Sequence, residues 1–256
     1  MSSGKDSFLR GNTDIVELKT QNQKRFDDWH CHLLPGLDDG PDTMEESMEM
    51  AVSLRKVGFA SVYCTPHLIK GCFDADNGTV RATLAALQVR LKDENIDLRL
   101  LPGREHYLDE FLFDYLKDPL SLGETKYIMI EIPNHTPEQF AREACFRIKR
   151  SGFIPMIAHP ERCSLFASPG KRETVRFRFS DSKLKVEGSK PSEPSLLDYL
   201  KDLGCAFQAN LGSFAGWYGS QVQQTANSLK KTDIYTHFGT DAHNIRGVLQ
   251  HSDREF

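Results

Sequence analysis

The sequence predicts an α/β chain folded as a closed or nearly closed (β/α) barrel. Short apolar runs alternate with helical patterns about seven times, which is the signature of parallel βα units. About seven such units within 256 residues suit a barrel better than an open sheet. Composition agrees: the chain is 39% apolar and 27% charged, with a mean hydropathy of -0.46, the balance of a soluble domain with a sizeable core.

Residues 1–25 are polar and precede the first unit, so they read as an N-terminal extension to a barrel domain spanning 26–256. They lack the apolar segment of a secretory signal, and no apolar run approaches the roughly 18 residues of a membrane span. A cytoplasmic protein is therefore expected. The first strand is Phe26 to His30. Thr43 and Glu46 form a capping box ahead of a helix over Met44 to Val57, which Gly58 closes. Phe59 to Cys64 is the second strand, a helix follows near Thr79 to Glu94, and Ile96 to Leu101 is the third strand. Tyr127 to Ile132 is the fourth. Thr136 as N-cap, Pro137 at the first helical position and Gln139 predict a helix running to about Arg150, before Gly152. Phe153 to Ala158 is the fifth strand, and Ser195 to Leu203 a helix ended by Gly204. Cys205 to Asn210 is the sixth strand, Gln221 to Lys231 a helix, and Ile234 to Gly239 the seventh strand.

Lys171 to Lys190 breaks this rhythm with seven basic and three acidic residues, alternating with apolar ones around a Ser-Asp-Ser turn. That pattern reads as an inserted amphipathic hairpin, either a solvated flap or a basic lip for an anionic substrate. The net charge of -4 gives no long-range pull toward nucleic acid. The six cysteines form no CxxC pair and read as reduced, mostly buried thiols.

Chemistry concentrates where each strand ends. The first strand runs into Asp28-Trp29-His30-Cys31-His32, with Asp39 beyond it; the second precedes His67 and the third Glu105. The fourth carries Glu131, the fifth runs into His159-Pro160-Glu161-Arg162, and the seventh into Asp241-Ala242-His243. This is the face on which barrels of this kind build their sites. Imidazole and carboxylate donors suit divalent zinc, manganese or iron. His30 and His32 project to one side of an extended segment, as two ligands of one ion must, while Cys31 should face the other way and pack. His106, His135, His237 and His251 read instead as surface or satisfied histidines.

With Leu-Leu-Pro-Gly-Leu-Asp-Asp-Gly after Asp-x-His-x-His, then Thr-Pro-His, Ala-His-Pro-Glu-Arg and Asp-Ala-His-Asn, the chain resembles the polymerase-and-histidinol-phosphatase (PHP) superfamily. Within it, the sequence is similar to the bacterial metal-dependent tyrosine-protein phosphatases of capsule and exopolysaccharide synthesis. The likeness covers about Asp28 to Arg246. It implies a distorted seven-stranded PHP-type barrel. Only 13 residues follow His243, so a last C-terminal helix is expected to be missing, with a partner subunit as one candidate cover for that flank.

The resemblance implies three divalent ions, manganese favoured, with iron, zinc or cobalt as alternatives. His30, His32, Glu105 and Asp241 would hold the first; Glu105 would bridge to a second, also held by Glu131 and His159; Asp39, His67 and His243 would hold the third. Glu131 stands where other PHP branches often place histidine. A metal-bridging hydroxide would attack phosphorus without a phosphoenzyme, and Arg162 and Arg246 would grip phosphate oxygens through their guanidinium forks. The expected substrate is a phosphotyrosine protein, an autophosphorylating bacterial tyrosine kinase of capsule type. A cysteine-based phosphatase would need arginine six residues after a cysteine, and none of the six cysteines has one. Alternatives are another PHP phosphoesterase, acting on histidinol phosphate or nucleic acid, and a regulatory binding protein without turnover. The aromatic residues of the loop from Asn210 to Gly219 (Phe214, Trp217, Tyr218) could stack on a phosphotyrosine ring or serve as hydrophobic cover.

Overall fold

The computed structural model describes residues 26–167 and 194–250. The expected N-terminal extension, the basic hairpin at 171–190 and His251 lie outside these residues. The fold is α/β, with curled parallel sheets wrapped by helices. One sheet has the order β1 (Phe26–Cys31), β2 (Phe59–Cys64), β4 (Arg99–Pro102). The other runs β3 (His67–Leu68), β5 (Glu105–Tyr107), β6 (Tyr127–Glu131), β7 (Ile154–Ala158), β8 (Ala206–Asn210), β9 (His237–Gly239).

Where seven runs were expected, nine strand segments form among the described residues. The additional two, β3 and β5, follow β2 and β4 after a gap of two residues each. Pro66 and Pro102 sit at these breaks, and proline has no N–H to give a ladder. The two sheets meet again past β9: the Asp241 N–H donates to His30 C=O at 2.7 Å and the His32 N–H to Ala242 C=O at 3.1 Å.

Most helices match their sequence signals. In α1 (Met44–Val57) Thr43 and Glu46 make the expected capping box, and Gly58 closes the helix in the left-handed region. Asp76 caps α2 (Asn77–Asp93), and a short α3 (Leu112–Tyr115) follows β5. The start of α4 (Glu138–Arg150) corrects the sequence reading: Pro137 is the cap residue, and Thr136 belongs to the preceding turn, its N–H bonded to Pro133 C=O. Ser195 caps α5 (Leu196–Leu203) as expected. The loop after β8 forms a short α6 (Leu211–Ala215) ahead of α7 (Ser220–Lys231), and α8 (Ile245–Leu249) follows β9. The seventh strand is shorter than expected because Ile234 leaves the ladder to pack into the outer core.

Strand alternation sorts the core. Ile128, Ile130 and Ile157 face outward against α4, α5 and α7, in a cluster with Ile148, Leu200 and Leu229. Met129, Met156 and Ala158 face inward with Tyr63 and Leu122, and Trp29 packs on them. Glu131 shares the inward face of β6 with Met129, so the same alternation that fills the interior aims a carboxylate into the site. A third cluster joins α1, α2 and α8 through Leu54, Leu87 and Val248.

Gly239 is where β9 comes closest to β1. A Cβ there would meet His30 Cβ at 2.6 Å and His30 N at 2.7 Å, and backbone cannot swing aside as a side chain can. Gly239→Ala is expected to cost about 1–3 kcal/mol in urea denaturation, from overpacking. The half-buried His237 ring lies 4.1 Å from Trp29 and 4.9 Å from Tyr127, centroid to centroid. Burial pushes this imidazole down to about 4 from its ordinary 6.5. Its neutral form therefore contributes stability above pH 6.5 that is lost as pH falls toward 4. Urea melts across that range should show the loss, and His237→Phe should flatten it.

Candidate metal centre

The expected ligands converge at the C-terminal ends of the strands. His30 and His32 come from the end of β1, His67 from β3, Glu105 from β5 and Glu131 from β6. His159 follows β7, and Asp241 and His243 follow β9. Asp39 arrives on the loop after β1. That loop folds back so closely that a Cβ at Gly40 would meet His32 O at 2.5 Å. Together with Arg162 and Tyr218, Asp39, His67, Glu105, Glu131, His159, Asp241 and His243 line a cavity of about 280 Å³. Cys31 packs outward, as expected, fully buried with Sγ 3.5 Å from Ala242 O.

The hydrogen bonds behind the rings decide what faces the centre. His30 Nδ1 donates to Gln208 Oε1 at 2.9 Å, and His32 Nδ1 to Asp38 Oδ2 at 2.6 Å. With these protons on Nδ1, each neutral ring turns a bare Nε2 lone pair inward. The two Nε2 atoms lie 3.1 Å apart. Glu105 Oε2 stands 3.1 Å from one and 3.3 Å from the other, and Asp241 Oδ1 stands 3.4 and 3.3 Å away. Four acceptors thus share one point. Glu105 Oε2 and His67 Nδ1 are both buried without a hydrogen-bond partner. A buried acceptor cluster without donors is costly unless a cation sits among its members.

Among the described residues, three groups of donor atoms, each set within 4.8 Å, could hold a metal ion: His30, His32, Glu105 and Asp241; His32, Asp39, His67 and His243; and His67, Glu105 and Glu131. His159 Nε2 meets the other Glu105 oxygen at 2.9 Å. Nitrogen and oxygen donors of this kind suit divalent transition ions, so the residues fit the metals the sequence implied.

Charge follows the same geometry. Burial alone would depress His30, but Glu105 and Asp241 outweigh it and lift the imidazole to about 9. Burial would likewise depress His32, which Asp241 and Asp38 hold well above the ordinary range. Glu131 is raised by burial and by neighbouring Glu105. Asp39, hydrogen-bonded to His243, is lowered to about 2. Without metal the rings must take up protons to balance the carboxylates; the centre draws positive charge. Two of its residues also have strained backbones, His159 at φ 27° and Asp241 at φ 52°.

The family model for capsular polysaccharide synthesis, CpsB/CapC, matches residues 26–174. The chain belongs to the CpsB/CapC family. Tyrosine-protein phosphatase YwqE of Bacillus subtilis is 35% identical over 222 residues, which cover 86% of this chain and 78% of that protein. The putative tyrosine-protein phosphatase CapC of Staphylococcus aureus is 23% identical over 223 residues, 85% of this chain and 77% of the relative. A crystal structure from work on YwqE and on CpsB of Streptococcus pneumoniae, described as unique metal-dependent tyrosine phosphatases, superposes with a TM-score of 0.70. It is 31% identical, covering 90% of this chain and 87% of its own. That likeness carries the CpsB/CapC assignment from sequence to fold.

Arg162 reaches the centre, with Nη1 2.6 Å from Asp241 Oδ2. Arg246 does not join it; exposed on α8, it lines neither this cavity nor the adjoining one. Phe214 turns away to pack on Tyr235 and Phe238, whereas Trp217 and Tyr218 line the adjoining cavity. His106 is buried and bonded to Met129 O, a satisfied histidine as expected.

Several supporting residues escaped the sequence reading. Asp38 fixes His32 and also accepts the His67 and Gly40 N–H groups; the tandem Asp38-Asp39 was its signal. Gln208, the lone polar side chain between Phe207 and Ala209, orients His30 and accepts the His159 N–H. Asp28 takes bonds from the Thr240 N–H, the Thr240 hydroxyl and the His30 N–H, tying β1 to the segment that carries Asp241. Asp38→Asn is expected to weaken metal binding about 10- to 100-fold. Chelator competition measures this, with circular dichroism as the check on folding.

Proposed function

We infer that this chain is a metal-dependent protein-tyrosine phosphatase of capsule synthesis, and that its substrate is the phosphotyrosine of a bacterial tyrosine kinase. One observation carries the reading: bare Nε2 lone pairs of His30 and His32 and the oxygens of Glu105 and Asp241 converge beside an anchored guanidinium in an open cavity. The relatives named above support the substrate class.

We assign His30, His32, Glu105 and Asp241 to a first ion, Glu105, Glu131 and His159 to a second, and Asp39, His67 and His243 to a third. Manganese is favoured, and iron, zinc or cobalt suit the same donors. When bound, such ions acidify water toward neutral pH and neutralise phosphoryl oxygens. The remaining work falls to the chain. Gln208 and Asp38 keep the Nδ1 proton on His30 and His32, so that Nε2 stays a ligand. Arg162 spends one N–H on Asp241 and keeps the others for non-bridging phosphate oxygens. Tyrosine is a good leaving group as phenolate, with a pKa of about 10, so no side chain need serve as general acid. Cysteine chemistry is not required: Cys31, beside the ligands, is fully buried and its thiol is pushed well up, chiefly by burial.

No helix among the described residues is long and apolar enough to cross a membrane. We place the protein in the cytoplasm, where the phosphotyrosine of a cytoplasmic kinase domain would be reached. We also read β2 with β3 and β4 with β5 as two interrupted strands of a seven-stranded PHP-type barrel, a reading supported by the bonds between β1 and the segment after β9.

Metal-stripped protein should lose turnover of a phosphotyrosine peptide and regain it with manganese. Arg162→Ala should lower kcat/KM by about a hundredfold, the scale of losing one preorganised donor. A phosphoserine peptide should turn over far more slowly; equal rates on both peptides would overturn the tyrosine-specific reading.

A further inference from the structure

Beside the expected ligands, four residues from separate segments close a ring of contacts. Arg162, on the turn after β7, donates Nη1 to Asp241 Oδ2 at 2.6 Å. Asn210, the last residue of β8, donates Nδ2 to that same oxygen at 2.9 Å. The same amide nitrogen donates to the Tyr218 hydroxyl oxygen at 3.1 Å. Tyr218 then lies with its ring beneath Arg162, whose Cζ is 4.6 Å from the ring centroid. Asn210 is itself pinned. Its backbone N–H donates to Glu161 Oε1 at 2.9 Å, and its side-chain oxygen accepts the Gly212 N–H at 2.8 Å.

We propose that Tyr218 is a positioning residue for phosphate binding: its ring is the seat that holds the Arg162 guanidinium over the metal centre. This rests on the phosphatase reading above. A single bond from Nη1 is a pivot about which a long, flexible side chain can still turn. An aromatic face under the guanidinium supplies a second point of support without using any of its N–H groups. Those groups stay available to phosphate, as a carboxylate partner in place of the ring would not allow. The ring in turn needs holding, because Tyr218 is 38% exposed and stands as a wall shared by the 280 Å³ cavity and an adjoining one of about 190 Å³. Asn210 provides that hold. The same amide saturates Asp241 Oδ2, which leaves Oδ1 turned toward His30 and His32.

The test is a double-mutant cycle on the manganese-loaded protein. Tyr218→Leu and Tyr218→Phe are each made alone and with Arg162→Ala. Calorimetry reads the Kd of inorganic phosphate, p-nitrophenyl phosphate gives KM and kcat, and metal analysis gives manganese content. Tyr218→Leu should weaken phosphate binding about tenfold, raising KM more than it lowers kcat, with manganese content unchanged. Tyr218→Phe, which keeps the ring, should recover most of that loss. Neither change should alter phosphate binding once Arg162 is alanine. A loss of similar size in the Arg162→Ala background, unchanged phosphate binding in Tyr218→Leu, or a fall in manganese content would overturn the role of Tyr218. If the loaded wild-type protein neither binds phosphate nor cleaves the ester, the phosphatase reading fails, and this inference with it.

Discussion

Two imidazole nitrogens 3.1 Å apart, which the bonds behind them leave as bare lone pairs whenever the rings are neutral, impose the constraint on which the rest of this structure depends. Lone pairs repel at that distance, and the carboxylates that complete the cluster add negative charge. Only a cation, or protons taken up in its place, makes the arrangement favourable. The upward shifts of His30 and His32 describe the second solution, and the donor geometry fits the first. The surroundings do not relax the cluster; they enforce it. Gln208 and Asp38 hold the rings from behind, while Asn210 and Arg162 hold Asp241 from the side.

Enforcement has a structural cost, and it is placed where the sheet can bear it. Positive φ angles at His159 and Asp241 each store on the order of 1–3 kcal/mol. Both residues are locked in turn. The His159 N–H is held by Gln208, and the Asp241 N–H pairs with His30 C=O. Asp28 completes the lock by binding Thr240 through both backbone and hydroxyl. This carboxyl is buried deeply enough that desolvation lifts it to about 6 despite those bonds. The joint between β1 and the segment after β9 is thus polar and densely bonded. It is also the joint that brings His30 and His32 to Asp241.

The candidate ligands were legible in the sequence because parallel βα units put every strand end on one face, so six strand ends carrying His, Asp or Glu could be read as one site without coordinates. The supports were hidden because their role depends on partners far away in the chain. Gln208 in an apolar strand looks like a tolerated polar residue until His30, 178 positions earlier, is seen to need an acceptor. The place of Arg246 was hidden for a similar reason: the short α8 leaves it exposed, lining neither cavity. The fold was legible in its alternation and less so in its punctuation. Thr136 carries the chemistry of a cap but is spent in a turn with Pro133, and the short β3 and β5 past Pro66 and Pro102 extend beyond the strands the sequence showed.

Net charge bears on how many ions the proposed centre would hold. Asp39, Glu105, Glu131 and Asp241 line the cavity, and Asp38 stands directly behind His32, giving five negative charges when all are ionised. Arg162 returns one positive charge. Two divalent ions would bring this sum to zero and leave no field to attract a phosphate monoester, which is close to a dianion at neutral pH. A third ion would leave a surplus of two positive charges, the complement of that dianion. The donors allow for it, since Asp39, His67 and His243 cluster on the open side of the cavity, apart from His30, Gln208 and the buried joint. Counting three ions is therefore what electrostatic balance favours for a phosphatase built on these residues. Asp39, half exposed, keeps its charge through its hydrogen bond to His243, which lowers it to about 2.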